Sequence, residues 1–513
     1  MSDGEPLEAG AGGAAVGGGE VEAVAGCRPA HACSDSAEQE VFGGSYPLYD
    51  APHFASFAEL VAYIGETWGD SIAFETADEQ AVSYHELVER IARERMEMDE
   101  AGEGRFVGVT DADPVQFAAR YLAVVSSGRC AVLCRLAEEQ KAQLADVPEG
   151  VCTLAASSGT SGNPKVVMLT EAGLLADLTA GLELYEFARG GRYAKLLPYT
   201  HAFGLVCDLL APLATGGTIA LPHASTTFVA ELPHMAPTAL NLPPRAAAML
   251  ADLLDAGSYK LPSLRKILCG GAGLAASVTQ RLRVHGIEAF GCYGLTECSP
   301  CVSVNRDGWH KDGSCGVALR CNEVRVGDDG EVLVRGANVM AGYLGKPELT
   351  AARVDLDGWL RTGDVGHIDS DGFLFVDGRL DDMIVLADGT MVAPEVLERA
   401  LGAHPAIAQA FVYGTLDGRS GQVVLACNDR RARPQQQVGI IRRVVDGIGG
   451  LQIQRGIVLL AVLASHAVKD QEYIVHFLLM NQIFQLRIHP FQQSLVQHRI
   501  IRNLVHIGVP LRQ

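Results

Sequence analysis

The chain has 513 residues, of which 48% are hydrophobic and 20% are charged, and its formal net charge is −20. At about 150 residues per domain this length predicts two to four domains, and the apolar fraction is sufficient for an ordinary core, which excludes a wholly disordered protein. The negative charge excludes nucleic acid and anionic lipid as main binding partners, because both would be repelled.

The N-terminus and the cysteines predict a cytoplasmic protein. The chain starts with neither basic residues nor an apolar signal core, and no apolar stretch reaches the ~18 residues of a transmembrane helix. Its 13 cysteines are scattered rather than arranged as a disulfide framework. Cys298 and Cys301 have the C-x-x-C spacing of a zinc site, but no second ligand pair accompanies them, and we interpret both as buried thiols.

Apolar periodicity predicts the main elements in chain order. Residues 1–45 are rich in Gly, Ala and Glu without periodicity, which predicts a flexible tail. Helical spacing follows around residues 57–64 and 87–92. Strand-like runs then alternate with amphipathic stretches, which predicts an α/β fold with a largely parallel sheet. These runs are residues 107–109, 130–133, 194–197, 218–221 and 267–268. Alternation over residues 322–335 around Asp328-Asp329-Gly330 predicts an antiparallel hairpin.

The strongest local motif is Ser-Ser-Gly-Thr-Ser-Gly-Asn-Pro-Lys at residues 157–165. Its glycines allow a tight turn that brings backbone N–H groups to a phosphate, its hydroxyls are hydrogen-bond donors, and Lys165 adds a positive charge. The motif therefore predicts a phosphate-binding loop, although it is not a Walker sequence. A flexible Ser/Gly turn is the alternative interpretation.

Five further motifs follow in a fixed order. They are Pro198-Tyr199-Thr200-His201-Ala202-Phe203-Gly204, Gly270-Gly271-Ala272, Tyr293-Gly294-Leu295-Thr296-Glu297, Arg361-Thr362-Gly363-Asp364 and Gly378-Arg379-Leu380-Asp381-Asp382. With the phosphate loop, they resemble the adenylate-forming (AMP-binding) superfamily, and most closely its fatty acyl-CoA synthetases. The resemblance covers about residues 54–425.

This resemblance implies a fold and its domains. Residues 46–377 would form a large α/β adenylation domain of parallel and mixed sheets with helices and a small β-barrel-like part. Its N-terminal part is shortened, because only about twenty residues separate Leu133 from the phosphate loop. Residues 378–427 would form the hinge and the start of a small α+β lid, which is truncated or replaced in this chain.

The resemblance also implies a reaction and its residues. ATP, with Mg²⁺, would activate a carboxylic acid to acyl-AMP, and coenzyme A would then accept the acyl group. The implied ATP-binding residues are Ser158, Gly159, Thr160, Ser161, Gly162, Lys165, Gly271, Ala272, Tyr293, Thr296, Asp364 and Arg379. The implied catalytic residues are Thr296, Glu297, Lys165 and His201, with Glu297 also the metal ligand and Asp381 the hinge. His201 has the alternative of a simple packing role.

The acid is expected to be a fatty or other carboxylic acid. Amino-acid adenylation domains place an Asp in the segment corresponding to residues 198–204, and this segment has none, so an ammonium group would be left unpaired. The segments after Glu297 and at 338–344 resemble ligases that load coenzyme A or acyl carrier protein. The alternatives are therefore an acyl carrier protein ligase and a non-catalytic protein that binds nucleotide or acyl groups.

The last part of the chain departs from the superfamily. Residues 421–513 hold 13 Gln, against 7 in the preceding 420 residues, and the balance of charge there becomes positive. The superfamily's lid lysine follows a Pro-x-Thr-x-x-Gly motif, whereas Lys469 is the single lysine beyond residue 389 and lacks that context. We hypothesise a frameshift, a misjoined reading frame or a gene fusion near residues 427–434, with impaired catalysis. A genuine new module over residues 428–513 is the alternative.

Overall fold

The computed structural model describes residues 48–76, 80–110, 113–157, 165–186, 190–223, 228–385, 391–402, 409–417, 420–429 and 460–464. All of them belong to the unit Val41–Gln513, one of the two units into which the chain divides. The predicted tail at 1–45 and most of the atypical segment 428–513 lie outside the described residues.

Helices and strands alternate through most of this unit. The helices are α1 (Phe57–Trp68), α2 (Tyr84–Glu100), α3 (Pro114–Ser126), α4 (Glu138–Ala142), α5 (Glu171–Leu184), α6 (Ala211–Ala214), α7 (Phe228–Met235), α8 (Pro244–Asp255), α9 (Ala276–Val284), α10 (Pro347–Arg353) and α11 (Pro394–Gly402). The strands are β1 (Ile72–Thr76), β2 (Ala81–Ser83), β3 (Phe106–Gly108), β4 (Cys130–Val132), β5 (Val151–Ser157), β6 (Lys165–Thr170), β7 (Arg192–Ala194), β8 (Thr218–Leu221), β9 (Ala239–Leu242), β10 (Lys266–Cys269), β11 (Glu288–Gly294), β12 (Cys301–Val304), β13 (Val317–Ala318), β14 (Asn322–Val326), β15 (Glu331–Gly336), β16 (Gly342–Tyr343), β17 (Leu360–Ile368), β18 (Leu374–Arg379), β19 (Ile384–Val385), β20 (Met391–Val392), β21 (Gln409–Asp417), β22 (Ser420–Asp429) and β23 (Leu460–Ala464).

The early helices begin where their sequences supply a cap. Ser56 and Ser83 accept hydrogen bonds from backbone N–H groups in the first turns of α1 and α2, and Asp113 does the same for α3. Pro114 follows that aspartate at the first helical position, where its missing N–H costs nothing. The two helices predicted from periodicity are thereby confirmed. No helix among the described residues is long and apolar enough to cross a membrane.

The largest sheet has nine strands in the order β13-β12-β11-β10-β9-β7-β8-β1-β2. The pairs from β11 to β1 are parallel, and the pairs at both edges are antiparallel. This confirms the prediction of a largely parallel sheet. The strand predicted at 194–197 was misplaced, since β7 ends at Ala194. The N–H groups of Leu196 and Leu197 instead donate to the Asp208 carboxylate, so they cannot extend the sheet.

Two smaller sheets complete the part that carries the motifs. One has the order β16-β6-β5-β4-β3, with β3, β4 and β5 parallel and the other pairs antiparallel. The other is the antiparallel sheet β14-β15-β17-β18. The pairing of β14 with β15 confirms the hairpin predicted over residues 322–335.

The described residues beyond Arg379 form a short 3₁₀ turn, helix α11 and five strands in two small sheets. β19 pairs with β20, and β21, β22 and β23 form a three-stranded sheet. The N–H of Val412 on β21 donates to the Glu398 carboxylate of α11 at 2.8 Å, which links helix and sheet. β23 comes from the atypical segment and pairs in parallel with β22. The domain boundaries drawn from the sequence remain predictions.

Candidate active site

A cleft of about 720 Å³ gathers the predicted residues that the structure describes. Its walls include Lys165, His201, Gly271, Ala272, Tyr293, Thr296, Glu297, Asp364 and Arg379. Ser158, Gly159, Thr160, Ser161 and Gly162 lie outside the described residues. Asp381 does not line the cleft but is exposed in the short 3₁₀ turn Leu380–Asp382 that follows β18.

One end of the cleft is organised around Asp364 on β17. Tyr293 Oη donates to Asp364 Oδ2 at 2.6 Å, and Arg379 Nη1 donates to Asp364 Oδ1 at 2.7 Å. Arg379 is the direct cross-strand partner of Asp364 in β18, which fixes the pairing. Burial raises the pKa of Asp364, and the neighbouring Arg379 charge opposes that rise. Both carboxylate oxygens are therefore held in place before any ligand binds. We call this trio the Asp364 cluster.

Gly363 permits two guanidinium groups to approach this cluster. Its φ of +75° is a left-handed conformation that side chains rarely adopt. A Cβ at this position would lie 3.0 Å from Arg353 Nη1 and 3.2 Å from Arg379 Nη2. The Thr-Gly-Asp motif thus needs its glycine both for the turn and for the space above it.

The other end of the cleft contains Lys165, Glu297 and Tyr343, which we call the Lys165 cluster. Tyr343 Oη donates to Glu297 Oε1 at 2.8 Å, and Lys165 Nζ lies 5.2 Å from the centre of the Tyr343 ring. Burial lowers the pKa of Lys165, and the positive charge of Arg353 adds to that effect.

The ends of the phosphate-loop hairpin also reach the cleft. Ser157 and Lys165 pair directly across β5 and β6, and both line the cleft wall. The buried Ser157 hydroxyl has no hydrogen-bond partner among the described residues. Donors of both kinds, a hydroxyl and an ammonium group, therefore lie at the point where the sequence predicts phosphate binding.

Asp177 on α5 supports the segment that follows Glu297. This residue is 1% exposed, and its Oδ1 accepts from the N–H of Cys301 at 3.0 Å and from Asn338 Nδ2 at 2.9 Å. The neighbouring Met340 N–H donates to the Glu297 backbone oxygen at 2.8 Å. Burial raises the pKa of Asp177 well above its usual value. The network fixes the backbone on both sides of the Lys165 cluster.

Asp208 is a second buried aspartate, and it supports the backbone on the third side of the cleft. It lies in a π-helical segment, Gly204–Leu210, which directly follows the His201 motif. Its carboxylate accepts from the N–H groups of Leu196 and Leu197, at 3.2 and 2.9 Å, and from Asn241 Nδ2 at 2.7 Å. Burial raises the pKa of Asp208 to about 6.

His201 and Phe203 line this third side, with Gly270 behind them. A Cβ on Gly270 would lie 2.9 Å from both the Phe203 ring and the Cys292 sulfur, so only glycine fits there. His201 is exposed and lines the cleft, and its functional role remains a prediction. Cys298 and Cys301 are buried free thiols, as predicted.

Comparison with known proteins identifies the family. Residues 61–344 match the family described as AMP-binding enzyme. The chain belongs to the AMP-binding enzyme family. It is 34% identical over 294 residues to an indoleacetate–CoA ligase from Aromatoleum aromaticum, which covers 54% of this chain and 57% of the relative. It is 36% identical over 299 residues to a feruloyl-CoA synthase from Amycolatopsis, which covers 54% and 60%. The chain thus spans little more than half the length of these curated relatives.

Solved structures agree on the fold. A CoA ligase for anthranilate, in complex with anthranoyl-AMP, superimposes with a TM-score of 0.68 at 19% identity, over 80% of this chain and 94% of the other. An o-succinylbenzoate CoA synthetase from Bacillus subtilis, in complex with ATP and magnesium ion, gives a TM-score of 0.65 at 22% identity, over 79% and 95%. The α/β fold of AMP-binding enzymes, predicted from the motifs, is therefore confirmed.

In this member of the AMP-binding enzyme family, the sequence motifs predicted most of the residues that line the cleft but not the residues that support them. Tyr343 lies in the segment 338–344, which the sequence analysis found similar to ligases. Its hydrogen bond to Glu297 could be identified only from the structure. Asp177 and Asp208 carry no motif, because each acts on backbone groups distant in sequence. A buried aspartate within an otherwise apolar helical stretch is the signal that would have indicated them.

Proposed function

We propose that this chain activates a carboxylic acid with ATP to an acyl-adenylate and then transfers the acyl group to coenzyme A. The observation that carries the proposal is the meeting of the Asp364 cluster and the Lys165 cluster in one cleft. The first offers acceptors for a ribose, and the second offers a cation for a phosphate chain and a carboxylate for its metal ion. The names of the relatives, which are CoA ligases and synthases, support the same chemistry.

In the first step, a carboxylate oxygen of the acid attacks the α-phosphorus of ATP. The bond between that phosphorus and the bridging oxygen breaks, and pyrophosphate leaves. Lys165 and the loop at 158–162 would hold the departing phosphates, and Thr296 would donate to the α-phosphate. Because little covalent help is needed, positioning and neutralisation of charge supply most of the catalysis.

The nucleoside would bind at the opposite end of the cleft. Asp364 would accept hydrogen bonds from the ribose hydroxyls, and Arg379 would hold that carboxylate ionised and oriented. Tyr293 would lie against the adenine, with Gly271 and Ala272 at its edge. We propose Asp381, which is exposed just after Arg379, as the hinge for the lid.

Glu297 fits a magnesium ion bound together with ATP. One of its oxygens accepts from Tyr343, and the side chain lines the cleft. Mg²⁺ prefers oxygen ligands and is usually held by one or two carboxylates plus substrate phosphates, so a single carboxylate is sufficient. When bound, the ion would neutralise charge that develops on the phosphates.

In the second step, the thiol sulfur of coenzyme A attacks the acyl carbon, the thiol proton leaves, and AMP is released. We propose that the acid lacks an α-ammonium group, because no aspartate stands in the segment 198–204 to pair one. Two classes of acid fit this condition. The fatty acids follow from the motifs, and aromatic acids follow from the names of the curated relatives.

The test is exchange of labelled pyrophosphate into ATP, with Mg²⁺ and a panel of aromatic acids and of short, medium and long fatty acids. We expect exchange with at least one class, followed by thioester formation when coenzyme A is added. Exchange without thioester formation would limit the activity to adenylation. ATP binding without exchange for any acid would contradict the proposal and favour a non-catalytic nucleotide-binding protein.

A further inference from the structure

We propose that Arg353, at the end of α10, binds the phosphate chain of the nucleotide. None of the motifs includes this residue. It lies eight residues before Arg361, and its guanidinium lines the cleft between the Asp364 cluster and the Lys165 cluster. The inference rests on the proposed function for the identity of the nucleotide, and it adds a residue that contacts it.

The position of Arg353 is fixed from two directions. Its Nη1 donates to the backbone oxygen of Arg361 at 2.9 Å. The same nitrogen lies above Gly363, on the same side as the Arg379 guanidinium. The guanidinium is thus oriented by the backbone rather than by a carboxylate, and its other N–H groups can meet a ligand.

The charges around the cleft are unevenly matched. Arg379 pairs with Asp364 at 2.7 Å, and Arg361 pairs with Asp329 at 2.9 Å and with Glu331 at 2.5 Å. Within the part of the chain that the structure describes, neither Lys165 nor Arg353 makes an ion pair with a carboxylate. Two cations therefore face one cleft without a carboxylate in direct contact among the described residues, and Glu297 and Asp364 act on them only from a distance.

Cations held close together repel one another, and an anion bound between them removes that cost. A phosphate chain supplies such an anion, and a guanidinium matches phosphate oxygens with two parallel hydrogen bonds. The neutral adenosine part of the ligand offers no such charge. Arg353 should therefore act on the affinity for ATP and leave the affinity for adenosine unchanged.

The test compares three variants of the full chain. Arg353→Met removes the charge, Arg353→Lys keeps it without the planar fork, and Lys346→Met removes one charge from the start of the same helix. Lys346 does not line the cleft and acts on Lys165 only through its charge at a distance, so it is the control for a positive charge that makes no contact with the ligand. Dissociation constants for ATP and for adenosine are measured by calorimetry, and pyrophosphate exchange is measured in parallel.

We expect Arg353→Met to weaken ATP binding about 10- to 100-fold, with adenosine binding unchanged. Arg353→Lys should recover part of the loss, and Lys346→Met should stay within about 2-fold, because a charge outside the cleft is screened. Unchanged ATP binding in Arg353→Met would overturn the proposal, as would an equal loss for adenosine or no ATP binding by the unaltered chain.

The parallel exchange assay separates this inference from the proposed function. An Arg353-dependent affinity for ATP in a chain that shows no exchange would support the role of Arg353 and contradict acid activation. If Arg353→Met shows exchange at the same rate and binds ATP with the same affinity as the unaltered chain, acid activation would be supported and the role of Arg353 contradicted.

Discussion

The two ends of the cleft differ in how their charges are met. In the Asp364 cluster, the carboxylate has an arginine on one oxygen and a tyrosine on the other. In the Lys165 cluster, Lys165 has no carboxylate in direct contact among the described residues, and Glu297 accepts a hydrogen bond from the neutral Tyr343 hydroxyl. The first end is complete before a ligand arrives, whereas the second gains its counter-charge from the ligand. Orientation should therefore come from one end and sensitivity to phosphate charge from the other.

Asp364→Asn should have the largest effect, because it disrupts the Asp364 cluster. The amide accepts at only one of its two positions, so it loses the hydrogen bond from either Tyr293 or Arg379, and Arg379 loses its counter-charge. We expect ATP and adenosine binding to weaken together by about 100-fold. Calorimetry with both ligands measures this.

Asp369→Asn is the matched control for that substitution. Asp369 follows β17 in the same sheet and pairs with Lys311 outside the cleft. Its replacement should leave both affinities within about 2-fold, since a single ion pair of this kind contributes little. Adenosine binding that survives Asp364→Asn would mean that this end does not hold the ribose.

Glu297→Gln should act on the other end alone. The amide keeps the size of the side chain and an acceptor for Tyr343, but it removes the charge that a magnesium ion requires. We expect pyrophosphate exchange to fall about 100-fold, with a higher Mg²⁺ requirement and unchanged adenosine affinity. A loss of adenosine affinity equal to the loss of exchange would instead indicate a general structural defect.

The sequence predicted the residues of both clusters except Tyr343, but it did not predict how differently the charges of the two clusters are paired. Asp364, Arg379 and Glu297 each belong to a short sequence motif. Each lies on a strand or a tight turn, where the local backbone alone positions the side chain. The contact of Arg353 with Gly363 depends on how α10 lies against β17, and no periodicity carries that information. The strand predicted at 194–197 was misplaced for a similar reason. The N–H of Leu197 donates to Asp208, a residue outside the local sequence pattern.

Asp177→Ala should test what supports the Lys165 cluster. Removing the carboxylate leaves the buried N–H of Cys301 without its acceptor, and Asn338 Nδ2 keeps only its bonds to the backbone oxygens of Cys298 and Cys301. We expect the free energy of unfolding to fall by about 3 kcal/mol, as measured by urea denaturation. Asp177→Asn keeps one acceptor oxygen and should lose less. Equal losses in the two variants would show that the carbonyl-type acceptor is not what matters.

Asp208 extends the comparison to a carboxylate whose hydrogen-bond donors among the described residues are neutral, with the charge of Lys195 acting on it from a distance. Asp364 has Arg379 beside it, whereas the donors to Asp208 are backbone N–H groups and an amide. Burial without a directly bonded cation raises the pKa of Asp208 to about 6. Between about pH 4 and pH 6, the folded chain therefore binds a proton that the unfolded chain has released. The contribution of this group to stability must fall as the pH rises through that range.

The smallest expected effect is the pH dependence of the stability that Asp208 contributes. Comparing the wild type with Asp208→Asn measures that contribution alone. The variant loses some hydrogen bonding at every pH, but it cannot titrate. The difference in unfolding free energy, wild type minus variant, should decrease by about 2 kcal/mol between about pH 4.5 and 7. Urea denaturation of both proteins across that range measures it. A constant difference would mean that Asp208 stays ionised throughout, and that three neutral donors stabilise a buried carboxylate as well as Arg379 stabilises Asp364.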